Sequence, residues 1–223
     1  MKKLIFKKQG FTLSEVLTAL TIIGVIAALT VPALIQKTQK QEYVSALQKT
    51  YSTLSQATNQ IIAEHGSPKA DENGESWLSD RASLYNMYKK YLNNAKECAA
   101  GMGCFEHTYK FLSGSKYESW NGRTDLRKLI LNDGVHIAFE FAANTCDKDN
   151  PWSSGSKNVC ANMFTDINGA KGPNILGRDV FEFVLKENGL YPAGCDDESY
   201  CKTKNNMGNA CTCRVLTEDA MNY

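Results

Sequence analysis

Hydrophobic and polar positions divide the chain into regions of different period. After the short basic stretch MKKLIFKKQG, the residues from Phe11 to Ile35 carry a single charged side chain, Glu15. A helix over that range would rise ~1.5 Å per residue to about 37 Å, more than the ~30 Å of a bilayer core. Next, Val44, Leu47, Tyr51, Leu54, Thr58 and Ile61 recur at alternating spacings of three and four, with Gln, Lys, Ser and Thr between them. That is the stripe of an amphipathic helix, and Gly66-Ser67-Pro68 supplies its stop. One spine helix from Phe11 to His65, bent at Pro32, is the expectation. A membrane anchor followed by an unrelated surface helix is the alternative. Leu78, Ala82, Tyr85, Tyr88, Leu92 and Ala95 predict a second helix over Trp77–Lys96, its tyrosines packed against a sheet.

The later pattern has period two. Arg127–Leu131, the turn Asn132-Asp133-Gly134 and Val135–Phe141 read as a β-hairpin. Val135, Ile137, Phe139 and Phe141 share the face that should cover the spine, which leaves His136 on the other face as a surface histidine. Cys160–Asp166 and Asp179–Leu185 predict two more strands, the second closed by Glu187-Asn188-Gly189. The fold class expected is α+β: a long N-terminal helix packed under an antiparallel sheet.

Charge and composition narrow the function classes. The 223 residues include 43% hydrophobic and 22% charged, with a net charge of +1, so disorder is excluded and a dedicated nucleic-acid binder is not indicated. Mean hydropathy is negative, which excludes a polytopic membrane protein but not one span. Lys2, Lys3, Lys7 and Lys8 all precede the apolar run and place the N-terminus in the cytoplasm. Lys89/Lys90, Lys110/Lys116 and Arg123/Arg127/Lys128 could form a local cationic patch, so DNA uptake stands as an alternative binding function. P-loop, H-E-x-x-H, G-x-S-x-G and G-x-G-x-x-G signatures are missing, the three histidines are scattered, and no enzyme is expected.

Eight cysteines, Cys98, Cys104, Cys146, Cys160, Cys195, Cys201, Cys211 and Cys213, punctuate loop-like sequence rich in Gly, Asn, Asp and Ser. An even number in such a context reads as disulfides formed outside a reducing cytosol. A zinc site is disfavoured because there is no C-x-x-C pair. The expected bridges join Cys98 to Cys104 and Cys146 to Cys160, with two more among the last four; Cys211 and Cys213 are too close to favour each other.

Glu15 is the anomaly. An unpaired carboxylate in a membrane span costs ~2.5–3.5 kcal/mol or more and usually has a functional partner. A cleavable secretory signal, with Val31-Pro32-Ala33 as its cut site, would carry neither that acid nor so long an apolar run. The run Gly10-Phe11-Thr12-Leu13-Ser14-Glu15, after a basic leader and before an apolar helix, resembles the class III signal of type IV prepilins, a family that includes the pseudopilins of type II secretion. The resemblance implies that a prepilin peptidase cuts between Gly10 and Phe11 and methylates the new amine. It further implies that Glu15 meets that amine on a neighbouring subunit, and that Pro32 is the helix-bending proline of many pilins.

On that resemblance residues 1–10 are a leader, 11–35 the transmembrane and assembly helix, 36–66 the amphipathic half of the spine, and 67–223 a disulfide-stapled head. The partners implied are copies of the chain and other pilins in a helical filament, the peptidase, and an inner-membrane assembly platform. The chain would sit in the bacterial cytoplasmic membrane with its head outside, then enter an extracellular or periplasmic filament. Its length points to a minor pilin or a pseudopilin. The terminal cysteines resemble the disulfide-bounded loop that fastens many pilin C-termini. Some pseudopilins bind calcium in this region, which makes Asp166, Asn168 and Asp179 candidate oxygen ligands, although the loop is not an EF-hand; no other cofactor is expected. A secreted, disulfide-rich binding protein and a monomeric membrane-anchored module are the contrasting readings.

Overall fold

The computed structural model describes residues 10–99, 103–105, 108–117, 120–150, 155–197, 201 and 207–223. Two compact units make up the chain, one ending at Gln39 and the other running from Lys40 to Tyr223. Helix α1, Leu13–His65, contributes to both, and its helical assignment continues through Pro32. Gly66 ends it at φ +82, donating its N–H to the Ile62 carbonyl at 2.9 Å. A left-handed residue just past a helix is a conformation glycine adopts without steric penalty.

In the second unit, α1 buries Val44, Leu47, Thr50, Leu54, Ala57, Thr58 and Ile61. They face a sheet whose strand order, among the described residues, is β1 (Asn94–Ala99), β4 (Arg127–Leu131), β5 (His136–Phe141), β8 (Ala161–Asp166), β9 (Val180–Lys186) and β10 (Gly189–Pro192). Every pairing in it is antiparallel. Phe139, Met163 and Phe183 are directly opposed on neighbouring strands and form one apolar row. Tyr51 of α1 stacks on Phe183 with centroids 5.5 Å apart. The hairpin turn closes through Leu131 N–H to Val135 O at 2.8 Å and Gly134 N–H to Leu131 O at 3.0 Å, with Gly134 at φ +89. That is a three-residue loop with glycine at its left-handed position.

Three sequence expectations need correction. The second helix, α2, covers only Arg81–Tyr91. Asp80 and Ser83 form a capping box that fixes its start, and Leu92 is already extended. The residues from Asn94 leave the helix because they pair with β4 as the edge of the sheet. Within α2, Tyr88 is fully buried, 5.4 Å from the Phe139 ring, and its hydroxyl shares a 2.6 Å hydrogen bond with Thr58. That bond offsets the cost of burying both hydroxyls.

The second correction is His136, which is 7% exposed rather than a surface residue. The sheet's outer face is not solvent-facing. Trp120 is fully buried there, within 5.3 Å of Phe105, Tyr109, Tyr117 and Phe164 by ring centroids, and Phe105 lies edge-on to His136. This outer cluster also takes in Leu126, Ala138, Leu176 and Val180. The short strands β2 (Tyr109–Lys110) and β3 (Lys116–Tyr117) belong to it, and β6 (Lys148–Asn150) pairs separately with β7 (Ser156–Val159).

Thirdly, the C-terminal segment contains a helix, α3, Cys211–Glu218, which buries Val215. Bridges Cys195–Cys213 and Cys201–Cys211 tie it down, while Cys98–Cys104 and Cys146–Cys160 staple the earlier loops. Past α3, Lys40 Nζ donates to the Met221 carbonyl at 2.9 Å and Gln48 to Asp219 at 2.7 Å. The Tyr223 hydroxyl bonds the Gly177 carbonyl.

Candidate functional site

The first unit is the candidate site. α1 starts at Leu13, so Thr12 is its N-cap and Glu15 the third helical residue. Thr12 Oγ1 accepts the Glu15 N–H at 3.2 Å, and Glu15 Oε2 accepts the Thr12 N–H at 2.8 Å and the Thr12 hydroxyl at 2.7 Å. The segment Thr12-Leu13-Ser14-Glu15 is thus a reciprocal capping box. The T-x-x-E spacing signals it in the sequence, yet Glu15 was expected only as a carboxylate awaiting a neighbour. Both bonds fall on Oε2, and among the described residues Oε1 has no hydrogen-bond partner. The acidic group also sits in the first turn, where the helix dipole favours negative charge.

Beyond the cap the surface is apolar. Phe11, Leu13, Leu20, Leu29 and Leu34 are each 64% or more exposed, and Val16, Leu17, Ile22, Ile23, Val25, Ile26, Val31 and Ile35 are also exposed. By length and composition this helix can cross a membrane. Its threonine hydroxyls are turned inward: Thr18, Thr21 and Thr30 donate to the carbonyls of Ser14, Leu17 and Ile26 at 2.8–2.9 Å. In hydrocarbon no water would satisfy these groups, so bonding within the helix is what makes threonine tolerable there. Gly10 and Phe11 lie just before the helix, with Phe11 86% exposed, and Pro32 is within it.

The other sequence candidates separate. Of the three proposed calcium ligands, Asp166 and Asp179 are fully buried and Asn168 half-buried. Asp179 accepts backbone N–H groups of Asn174 and Ile175 at 2.7 and 2.6 Å, and Asp166 accepts the Tyr109 hydroxyl at 2.9 Å. These bonds shape the loop in their own right. Among the described residues no cluster of three or more His, Cys, Asp or Glu side chains is arranged to hold a metal.

Burial pushes the Asp166 carboxyl up to about 8, with the Asp179 charge adding to the rise and the Tyr109 hydrogen bond opposing it. Burial also raises Asp179. A carboxyl whose folded pKa exceeds its unfolded value of ~3.9 stabilises the fold below that value and loses the contribution as pH rises towards the folded pKa. Stability should therefore fall from pH 5 to pH 8, at up to ~1.4 kcal/mol per pH unit for one proton, and the melting temperature with it. Asp166→Asn should flatten that slope in thermal melts; an unchanged slope would refute the assignment to Asp166.

Part of the cationic patch is paired, while Lys110 and Lys116 are exposed. Lys89 pairs with Glu97 at 2.8 Å, Lys90 lies 3.8 Å from Glu64, and Arg123 is held by Asp125 and by Glu140 at 2.7 Å. Lys128 is buried. His65 closes α1, and His107 lies outside the described residues.

The family model described as the prokaryotic N-terminal methylation motif matches residues 5–31, which takes in the capping box and most of the exposed apolar helix. No curated protein and no solved structure matches the chain.

Proposed function

We propose that this chain, which carries the class III signal of type IV pilins and pseudopilins, is a minor pilin or pseudopilin that assembles through its N-terminal helix. The observation that carries the reading is the methylation motif on an exposed apolar stretch of helix in which, from Phe11 to Ile35, the one charged side chain is Glu15. The chain is inserted in the cytoplasmic membrane with its N-terminus inside. Prepilin peptidase cuts between Gly10 and Phe11 and methylates Phe11. An inner-membrane platform then packs the helix against copies of itself and other pilins. Four disulfides suit a head on the oxidising side. Packing buries the Leu, Ile and Val side chains against neighbouring helices, and the Phe11 ammonium of one subunit meets Glu15 of the next. Leaving either charge unpaired in low dielectric is costly, so the pair selects the axial register.

Mass spectrometry of the mature N-terminus, from native membranes or sheared surface material, tests this. The expected peptide begins at N-methylated Phe11. A start near Leu34 would remove the assembly helix and leave a secreted protein, and an intact Met1 would leave a plain anchor.

Calcium at Asp166, Asn168 and Asp179 is a subordinate proposal. It is supported by two buried carboxylates in one loop and by Asn174 Oδ1, a buried acceptor with no hydrogen-bond partner among the described residues. A bound cation would take the place of the proton that Asp166 holds, so millimolar calcium should raise the melting temperature at pH 8 more than at pH 5. Equal melts with calcium and with chelator at both pH values would dismiss it.

A further inference from the structure

A cavity of about 360 Å³ opens in the second unit between α1, the loop that follows α2 and the β4–β5 turn. Four carboxamide side chains, Gln56, Gln60, Asn93 and Asn132, line it beside the buried apolar pair Ala57 and Leu131. Its one acid, Asp133, is matched by Lys49 at 2.8 Å. Among the described residues, the side chains of Gln60, Asn93 and Asn132 make no hydrogen bond.

The backbone beneath the exposed carboxamides is tied together. Asn132 N–H donates to the Asn93 carbonyl at 3.1 Å, which ties the hairpin turn to the loop after α2. Tyr91, also in the wall, is held by its hydroxyl bond to Glu64 at 2.5 Å and by Lys90, 4.9 Å from its ring centroid. Gln56 donates its Nε2 to Ser52 Oγ at 3.0 Å, which leaves its carbonyl oxygen as an acceptor.

We propose that this cavity binds a neutral, hydroxyl-rich ligand of one or two sugar units. A charged ligand would find no uncompensated countercharge, because Asp133 is already paired. An apolar ligand would strand the carboxamides without partners. Each carboxamide offers both donors and an acceptor, which matches hydroxyl groups that also do both. The half-buried Tyr91 ring supplies apolar surface for the C–H face of a pyranose or the methyl of an acetamido group. The volume lies near the lower end of small-ligand sites, about 300–1,000 Å³. The proposal goes beyond the assembly reading and does not depend on it, since every lining residue lies in the second unit.

The test uses the full chain in a phosphocholine detergent, which carries no sugar headgroup, and saturation-transfer NMR titrations with maltose and N,N′-diacetylchitobiose. At least one sugar should bind saturably. The Gln56→Leu/Gln60→Leu double variant should weaken that binding at least tenfold with the melting temperature unchanged, because both positions are exposed on a helix that leucine favours. Failure of both sugars to saturate, or equal binding by the double variant, would overturn the proposal.

Discussion

Gly208→Ala is expected to lower the melting temperature by roughly 6–12 °C, on the scale of ~2–4 °C per kcal/mol for a chain of this size. The added Cβ would stand 2.0 Å from the Leu176 carbonyl oxygen and 2.6 Å from its carbon. Those are backbone atoms and cannot rotate aside. Gly208 also sits at φ +92, where alanine is strained. Relief requires the segment that begins α3 to move off residues 176–177. That movement would disturb Leu112 N–H to Met207 O at 3.2 Å and Cys211 N–H to Gly208 O at 3.1 Å. Overpacking of ~1–3 kcal/mol and a conformational penalty of ~1 kcal/mol give about 3 kcal/mol. Gly74→Ala is the control: its φ is +80, but a Cβ there meets nothing within 4 Å. It should cost only the conformational part, about 1 kcal/mol. Thermal melts of the full chain followed by circular dichroism separate the two, and equal losses would show that the close backbone approach has no energetic weight.

What the sequence revealed, and what it hid, follows from the range of each interaction. The α1 stripe from Val44 to Ile61 was legible because a helix repeats its environment every three or four residues. The Asn132-Asp133-Gly134 turn was legible because its chemistry is local. The limit of α2 was not, since Asn94–Ala99 keeps a helical spacing yet gains more by pairing with β4, a partner remote in sequence. His136 was misplaced for a related reason: strand alternation separates two faces but cannot tell that Trp120 and Phe105 will cover the second. α3 gave little warning, for its N-cap is Ala210, with no capping side chain. At the N-terminus Glu15 stands out in the sequence as an anomalous charge, whereas its local bond to Thr12 is carried only by the short T-x-x-E spacing. The carboxamide cavity could not be seen, because its four amides come from α1, the loop after α2 and the β4–β5 turn.

The two roles of Glu15 make Glu15→Gln more informative than Glu15→Ala. Glutamine keeps an oxygen that can accept the Thr12 N–H and hydroxyl, so α1 should begin at the same residue, and membrane insertion and cleavage should be normal. What it lacks is charge. If Glu15 Oε1 receives the Phe11 ammonium of the adjacent subunit, the variant buries that ammonium with only a neutral acceptor. A shortfall of even ~1.4 kcal/mol per contact is tenfold in association, and loss of a buried ionic partner commonly costs more. Incorporation into sheared filaments, quantified against the membrane pool by immunoblot, should therefore fall at least tenfold for Glu15→Gln. Glu15→Ala, which also removes the side-chain half of the capping box, should fall no less while still being processed. Normal incorporation of the glutamine variant would mean that the hydrogen bonds to Thr12 are the whole of what Glu15 does, and that the register of the filament is set by the apolar side chains alone.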